Sequence, residues 1–393
     1  MNTKNPSLQR LPSIDMMRGL VIVLMALDHT RDFFSNALFD PTDLSKTFPA
    51  LFMTRWITHL CAPTFVFLAG ISAFLAKIRH QQTHYQFASH LLSRGIWLVI
   101  LELTVVRLGW TFVWDMHQLL GQVIWALGWS MISLAALSFL PRSAILIFAL
   151  GMIGSHNLSD HLQPNDFGPW AWLWTILHTP GHITFLTDFS FFALYPLIPW
   201  IGVMAAGYCF GDVLLLPKHQ RQHWLLYLGL ACLLMFIFLR SLNLYGDAQL
   251  WTPQKNWLFT CLAFLNVTKY PPSLQYLLVT LGIMLIGLNY LESKQLPLIS
   301  HPLIIFGKVP MFFYLIHLFM IHGAMLIITW WRGFPIDWLF DRSFPSVPIA
   351  DYGYSLPVVY AFWLCLLLML YPLCRGFAHL KHKSPNNVWM KYL

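Results

Sequence analysis

The sequence has few charged residues. Aspartate, glutamate, lysine and arginine together make up 10% of its 393 residues, whereas a soluble domain carries about 25%. Hydrophobic residues make up 57% of the chain, and the mean hydropathy is +0.60. A water-soluble globular domain is therefore excluded, and the composition is that of a polytopic membrane protein.

Paired cysteines and nucleotide-binding motifs are also lacking. The six cysteines are scattered through apolar segments and form no C-x-x-C pair, so neither a zinc site nor a disulfide framework is indicated. No G-x-G-x-x-G, Walker or H-x-x-x-x-D pattern stands in a suitable context, which argues against a reused soluble nucleotide-binding fold. No internal repeat or low-complexity segment is evident. The sequence predicts one integral membrane domain, residues 1–393, that holds no metal.

Long apolar runs dominate the rest of the chain. A membrane span needs about 20 apolar residues, and the runs predict an all-α bundle of about ten transmembrane helices at 16–36, 50–77, 88–114, 118–140, 143–156, 192–216, 223–243, 272–291, 303–330 and 354–376. Residues 1–20 are too polar for a cleavable signal, and residues 1–15 are predicted to form a cytoplasmic N-terminal segment. The aromatic loop 156–191 is predicted to fold onto the outer surface or to re-enter, and residues 377–393 are predicted to form a tail.

The net charge of +8 would indicate a nucleic-acid partner in a soluble protein. Here the positive-inside bias explains it better. With the N-terminus inside, most lysines and arginines fall on inner segments, and most acids fall on outer ones. Both termini are therefore predicted to be cytoplasmic, and no nucleic-acid partner is expected.

Charged residues cluster where the first span ends. The stretch LMALDHTRDFF contains Asp28, His29, Arg31 and Asp32. Such residues cost about 2.5–3.5 kcal/mol each at the bilayer centre, and less near the outer interface, where the predicted orientation places them. One interpretation is a structural ion pair at a helix end. We favour a His29–Asp32 pair, with Asp28 beside it, in which a carboxylate orients the imidazole as a general base.

Three more histidines lie at similar predicted depths. His59 lies one turn after Arg55 in the outer half of the second span, and His317 and His322 lie in the ninth. His317 and His322 are five residues apart, about 140° around a helix, so they cannot both face one point squarely. The catalytic candidates are ordered His29, then His59, then His317. For each histidine, a hydrogen-bonded structural role is the alternative.

Other polar residues extend the candidate set. Glu102 and Arg107 lie inside the third span, where they either pair with other helices or line a channel. Residues at the outer rim could contact a sugar or form an ordinary interface belt. The substrate-binding candidates are Arg31, Arg55, Glu102, Arg107, Arg240, Asn243, Lys269, Tyr270 and His322. On the inner side, Arg18 and Arg94 could attract a phosphorylated cofactor.

Several segments resemble one family. LPSIDMMRGLVIVLMALDHTRDFF and CAPTFVFLAGISAFL resemble the catalytic-domain family of heparan-α-glucosaminide N-acetyltransferase. Bacterial members show R-x-x-SID-x-x-RG, a DH pair at the end of the first helix, and P-x-F-x-F-x-x-G-x-S in the second. The segments LYPLIPWIGVMAAGYCFG, FLNVTKYPPSLQYLLVTLG and FGKVPMFFYLIH are also similar, so the resemblance extends from about residue 10 to 330.

The resemblance implies an integral membrane acyltransferase of the bacterial inner membrane. It would transfer an acetyl group from cytosolic acetyl-CoA to an amino sugar or hydroxylated acceptor on the far side, with a histidine as the key group. The expected partners are membrane lipid and a glycan or envelope acceptor, and a homodimer is left open. In one departure, the lysosomal enzyme's essential histidine follows the DH position by about a dozen residues, whereas here the next histidine after His29 is His59.

Two other classes of function compete with this hypothesis. Intramembrane charges and histidines would equally serve a transporter or flippase for a glycan, lipid or small anion. Such proteins more often have inverted repeats and broken helices around a midplane site, and neither is evident in the sequence. A non-enzymatic anchor for an envelope complex is disfavoured by the number of polar groups in the spans.

Overall fold

The computed structural model describes residues 11–293, 297–340 and 352–384, and this part of the chain is mostly helical. The helices are α1 Pro12–Phe34, α2 Pro49–Ile57, α3 Cys61–Arg79, α4 His84–Leu101, α5 Arg107–Thr111, α6 Val123–Leu137, α7 Arg142–Ser155, α8 Ala171–Leu177, α9 Leu197–Leu215, α10 Lys218–Leu242, α11 Trp257–Leu265, α12 Leu274–Ser293, α13 Pro297–Lys308, α14 Pro310–Trp331 and α15 Leu356–Lys383.

Six helical segments are long and apolar enough to cross a membrane. They are Pro49–Arg79, which joins α2 and α3, together with α9, α10, α12, α14 and α15. The predicted helical membrane bundle is thus confirmed in its main feature. Helices also form at the remaining four predicted spans, as α1, α4, α6 and α7, and the count of ten spans stays a prediction.

The two predicted terminal segments are only partly described. Residues 1–10 and 385–393 lie outside the described residues, so most of the predicted segment 1–15 and the end of the tail 377–393 lie there too. Helix α15 continues to Lys383, well into that predicted tail. The cytoplasmic location of both ends stays a prediction.

A small sheet departs from the predicted all-α fold. Its strands are β1 Gln118–Gly121, β2 Gly181–Leu186 and β3 Phe189–Ala193, in the order β1-β3-β2. β1 runs parallel to β3, and β2 pairs with β3 as an antiparallel hairpin. The predicted span 118–140 therefore begins as a strand, and part of the aromatic loop 156–191 belongs to this sheet.

The ninth predicted span, 303–330, is two helices. α13 and α14 are separated by Val309, and Pro310 occupies the first turn of α14, where its missing N–H costs no hydrogen bond. α13 packs tightly across α1: a Cβ on Gly19 would lie 1.9 Å from the Leu303 carbonyl oxygen, and one on Gly307 would lie 1.9 Å from that of Asp15. Only glycine permits this close approach of the two backbones.

Candidate active site

A cavity of about 650 Å³ opens around the C-terminal end of α1. We name it the outer cavity, after the predicted orientation. Its polar lining includes Asp28, His29, Arg31, Asp32, Arg55 and Lys269, and its aromatic lining includes Trp110, Tyr195, Tyr270 and Tyr314. Residues from α1, α2 and the segment before α12 therefore meet in one space, as the polar clusters of the sequence predict.

His29 and His317 contact each other directly. Nδ1 of His29 lies 2.7 Å from Nε2 of His317, and the two rings stack with centroids 5.0 Å apart. The Trp110 ring packs edge-on against His29 at 4.8 Å. His317 is fully buried, so the pair is held in one arrangement by the surrounding helices.

The hydrogen bonds of His317 determine which nitrogens carry protons in the neutral pair. Nδ1 of His317 lies 3.1 Å from the Phe313 carbonyl oxygen, an acceptor, so this nitrogen must donate. Nε2 of His317 is then an acceptor, and Nδ1 of His29 must donate to it. We therefore assign a lone pair to Nε2 of His29, which has no hydrogen-bond partner among the described residues. A nitrogen in this state can accept a proton from a substrate.

The carboxylates near His29 pair with arginines. Asp28 accepts from Nη1 of Arg55 at 2.5 Å and lies 3.0 Å from Nη2 of Arg31. Asp32 pairs with Arg31 as well. The predicted His29–Asp32 pair is thus wrong in its partner: His317 takes the place expected for the carboxylate. Asp28 and Arg31 form the helix-end ion pair that was the alternative interpretation.

Lys269 and Tyr270 lie on the wall of the outer cavity formed by the segment before α12. The Lys269 ammonium lies 5.1 Å from the centre of the Tyr270 ring, and the Tyr270 hydroxyl is 3.5 Å from that of Tyr195. Burial raises the pKa of Tyr270, but the charges of Lys269 and Arg55 outweigh it and bring the pKa below its ordinary value. This wall is therefore electropositive and suits a polar acceptor.

A second cavity, of about 330 Å³, lies nearer the N-terminal end of α1. We name it the inner cavity. Its lining is basic, with Arg18, Arg94, Lys308, Lys381 and His90. Arg18 also donates to Ser72 at 2.8 Å and to Asp15 at 3.2 Å, so it is fixed in place. The two predicted cofactor-binding arginines therefore line the same cavity.

The two cavities share a wall. Met25, Phe65, Val123 and Tyr314 line both of them. His29 lies on the outer side of this wall, and the centre of its ring is 6.2 Å from that of Tyr314. A molecule in the inner cavity and one in the outer cavity would thus approach each other beside the histidine pair.

His59, the second catalytic candidate, is outside the lining of both cavities. Its ring packs edge-on against Tyr276, with centroids 5.5 Å apart, and its carbonyl oxygen accepts from the Tyr276 hydroxyl. The ring of His59 thus faces Tyr276 and not the outer cavity that His29 lines. This packing does not favour a catalytic role for His59, and that role stays a prediction.

Glu102 and Arg107 bond backbone groups of the chain that follows α5. Glu102 is buried, and its Oε2 accepts from the backbone N–H groups of Ile124 and Trp125 at 3.0 and 3.2 Å. It thus caps the N-terminus of α6, whose first N–H groups lack helical partners. Arg107 donates to the carbonyls of Gln118 and Val113. Neither residue lines the outer or the inner cavity, and their substrate-binding role stays a prediction.

Three further candidates, Arg240, Asn243 and His322, bond backbone groups, and their substrate-binding role stays a prediction. Arg240 donates to four backbone carbonyls, including those of Phe264 and Asn266 at 2.9 and 2.7 Å. Asn243 ends α10 and bonds the backbone of Trp251. His322 contacts the carbonyls of Gly109 and Leu339, on a different side of α14 from His317, as their spacing predicts. None of the three lines either cavity.

Trp110, Tyr314, Lys308 and Lys381 were not selected from the sequence, yet they line the cavities. The sequence does indicate Tyr314, because this residue precedes His317 by three positions and therefore lies on the same helix face as His317. For Trp110 no such signal exists, since it comes from a separate segment. Among the described residues, no group of three or more His, Cys, Asp or Glu side chains could hold a metal ion.

Comparison with known families gives one match. The model of the family "heparan-alpha-glucosaminide N-acetyltransferase, catalytic" matches residues 10–250, more than half of the 393-residue chain. The matched segment includes His29, Arg55, Arg18 and Arg94. No curated protein matches the chain.

Proposed function

The chain belongs to the heparan-alpha-glucosaminide N-acetyltransferase catalytic family, and from this premise we propose that it is an integral membrane acyltransferase of the bacterial inner membrane. It moves an acyl group, in our proposal acetyl, from cytosolic acetyl-CoA to an amino sugar or hydroxylated acceptor on the extracytoplasmic side. One observation carries the proposal: a basic cavity and a polar, aromatic cavity meet at a shared wall beside His29.

The inner cavity suits the donor. Arg18, Arg94, Lys308 and Lys381 line it, and these side chains would bind the phosphates of acetyl-CoA by charge-assisted hydrogen bonds. Its apolar residues, among them Ile22 and Leu127, would lie against the pantetheine arm. In this arrangement the thioester reaches the shared wall at Phe65 and Tyr314.

The outer cavity suits the acceptor. Aromatic side chains provide faces for a sugar ring, and Nη1 of Arg31 is buried with no hydrogen-bond partner among the described residues. Together with Lys269, Arg31 would orient hydroxyl groups of the acceptor, which places its amine or hydroxyl near Nε2 of His29. Holding two reactants in this way lowers the entropic part of the barrier.

His29 then acts as general base. Its Nε2 accepts the proton of the acceptor as the new bond to the acyl carbon forms, and His317 holds the ring in the required tautomer. General-base help of this kind contributes about 10²- to 10⁴-fold. His29 returns the proton to the departing thiolate, so the imidazole is neutral again after each turnover.

The test uses purified protein in lipid nanodiscs, radiolabelled acetyl-CoA, and a panel of amino sugars and envelope lipids. The proposal predicts transfer by the wild type and loss of at least 10²-fold in His29→Ala. The matched control is His59→Ala, since His59 lies outside both cavities. Absence of thioester turnover with every acceptor would contradict the proposal and favour transport.

A further inference from the structure

The shared wall contains a buried hydroxyl without an acceptor. Tyr314 is 4% exposed, and its hydroxyl oxygen has no partner by hydrogen-bond geometry among the described residues. The indole of Trp110, which interacts with this side chain, cannot supply an acceptor, because an indole N–H can only donate. The hydroxyl hydrogen of Tyr314 therefore has no acceptor in the described protein.

A buried donor without an acceptor destabilises the folded state. Most hydroxyls in comparable positions of this bundle are satisfied: that of Tyr276 donates to the His59 carbonyl at 2.8 Å, and that of Tyr245 to the Gly154 carbonyl. Tyr314 also differs from them in its location, because it lines both the inner and the outer cavity. A bound substrate that supplies the missing hydrogen-bond acceptor would explain both features of Tyr314: its unpaired hydroxyl and its position where the two cavities meet.

We propose that the Tyr314 hydroxyl is the oxyanion donor of the acyl transfer. This inference rests on the proposed function. Tyr314 and His317 are three residues apart on α14 and therefore share a helix face. One helix thus supplies the oxyanion donor and the residue that orients the base.

The step balances as follows. The acceptor nitrogen or oxygen bonds to the thioester carbon, and its proton passes to Nε2 of His29. The carbonyl π electrons move onto the carbonyl oxygen, and Tyr314 donates its O–H to the negative charge that develops there. When the C=O bond re-forms, the C–S bond breaks, and the thiolate takes the proton from His29. Tyr314 keeps its own proton throughout.

The test compares Tyr314→Phe with Tyr276→Phe, a matched control whose hydroxyl bonds backbone outside both cavities. Loss of one oxyanion donor costs about 10²- to 10³-fold in kcat, and KM for acetyl-CoA should change little. Tm of Tyr314→Phe should not fall, because the lost hydroxyl has no acceptor in the protein. Tyr276→Phe should show the opposite pattern, with a lower Tm and a kcat near that of the wild type.

A second readout does not depend on turnover. With acetyl-CoA labelled with ¹³C at the carbonyl, isotope-edited infrared spectra should show a lower C=O stretching frequency in the wild-type complex than in solution. In Tyr314→Phe the frequency should return towards the solution value. If the wild type turns over the thioester and Tyr314→Phe keeps the wild-type kcat or the shifted band, the role of Tyr314 is overturned and the proposed function is not. A wild type inert towards acetyl-CoA would overturn the proposed function, and this inference with it.

Discussion

Replacement of His317 by leucine should slow acyl transfer by an amount that follows from the histidine pair. In the wild type, Nδ1 of His29 donates to His317, which leaves Nε2 of His29 free to accept. In His317→Leu the same tautomer would leave a buried donor unsatisfied, at a cost of about 1–3 kcal/mol. The ring would escape this cost by moving its proton to Nε2, where it can no longer act as base.

The free-energy cost of the reactive tautomer of His29 can be converted into a change in kcat. At 1.36 kcal/mol for each factor of ten, kcat should fall about 5- to 150-fold. His317→Gln should recover much of the rate, because its amide oxygen can accept from Nδ1 of His29. The effects of His29→Ala and His317→Leu should not add, since the second acts through the first.

The assay is release of free CoA thiol by purified variants in nanodiscs under saturating donor and acceptor, with Tm measured on the same samples. His317→Leu that retains the wild-type kcat while His29→Ala is inactive would refute the tautomer argument. So would His317→Gln that is as slow as His317→Leu at an equal Tm.

Three further predictions concern the donor site and the fold. Arg94→Gln should raise KM for acetyl-CoA about 10- to 100-fold, because it loses a hydrogen bond to a charged group worth about 1.5–3 kcal/mol. Steady-state kinetics should show no such effect with acetyl-pantetheine, which lacks the nucleotide. The control Arg79→Gln, outside both cavities, should also leave KM unchanged. Glu102→Ala should lower Tm, because the N–H groups of α6 are left unsatisfied, at about 1–3 kcal/mol for each. Glu102→Gln keeps one acceptor oxygen, so its Tm should fall less. Equal Tm values of the two variants in thermal unfolding would contradict the capping role. Gly307→Leu should give no folded protein in size-exclusion chromatography, because its side chain would collide with the backbone of α1. The control Gly323→Leu should fold, because nothing lies within 4 Å of a Cβ added there. Two equally folded variants would contradict the packing of α13 on α1.

Hydropathy predicted the helical bundle because the bilayer requires long apolar helices whose backbone hydrogen bonds are internal. The same reasoning could not predict the three-stranded sheet. β1 is four residues long and pairs in parallel with β3, some 70 residues further on, so its stabilising contacts are not local. Short apolar strands of this kind are indistinguishable in the sequence from the ends of helical spans.

The candidate site was predicted in part for a similar reason. The order of residues along a span determines their depth, which brought His29 and His317 to the same level. Depth does not determine rotation about the helix axis, so His59 was expected in the cavity although it faces Tyr276. The contact between His29 and His317, which are 288 residues apart, depends on how α1 and α14 pack.

Polar residues inside spans were also ambiguous. Glu102 and Arg107 could be functional or structural, and the structure shows them bonding backbone groups of α6 and β1. Such groups need partners because no water is available there. Arg31 and Lys269, by contrast, face the outer cavity. The sequence alone does not separate the two cases, because which backbone groups these side chains reach depends on how the helices pack.

The central claim is that donor and acceptor meet at the wall shared by the two cavities. Its most direct test is a cryo-electron microscopy structure with a non-hydrolysable acetyl-CoA analogue. We predict the phosphates at Arg94 and Lys308, and the acyl carbonyl oxygen within hydrogen-bond distance of the Tyr314 hydroxyl. An analogue bound in the outer cavity, or with its acyl group far from both Tyr314 and His29, would contradict the claim.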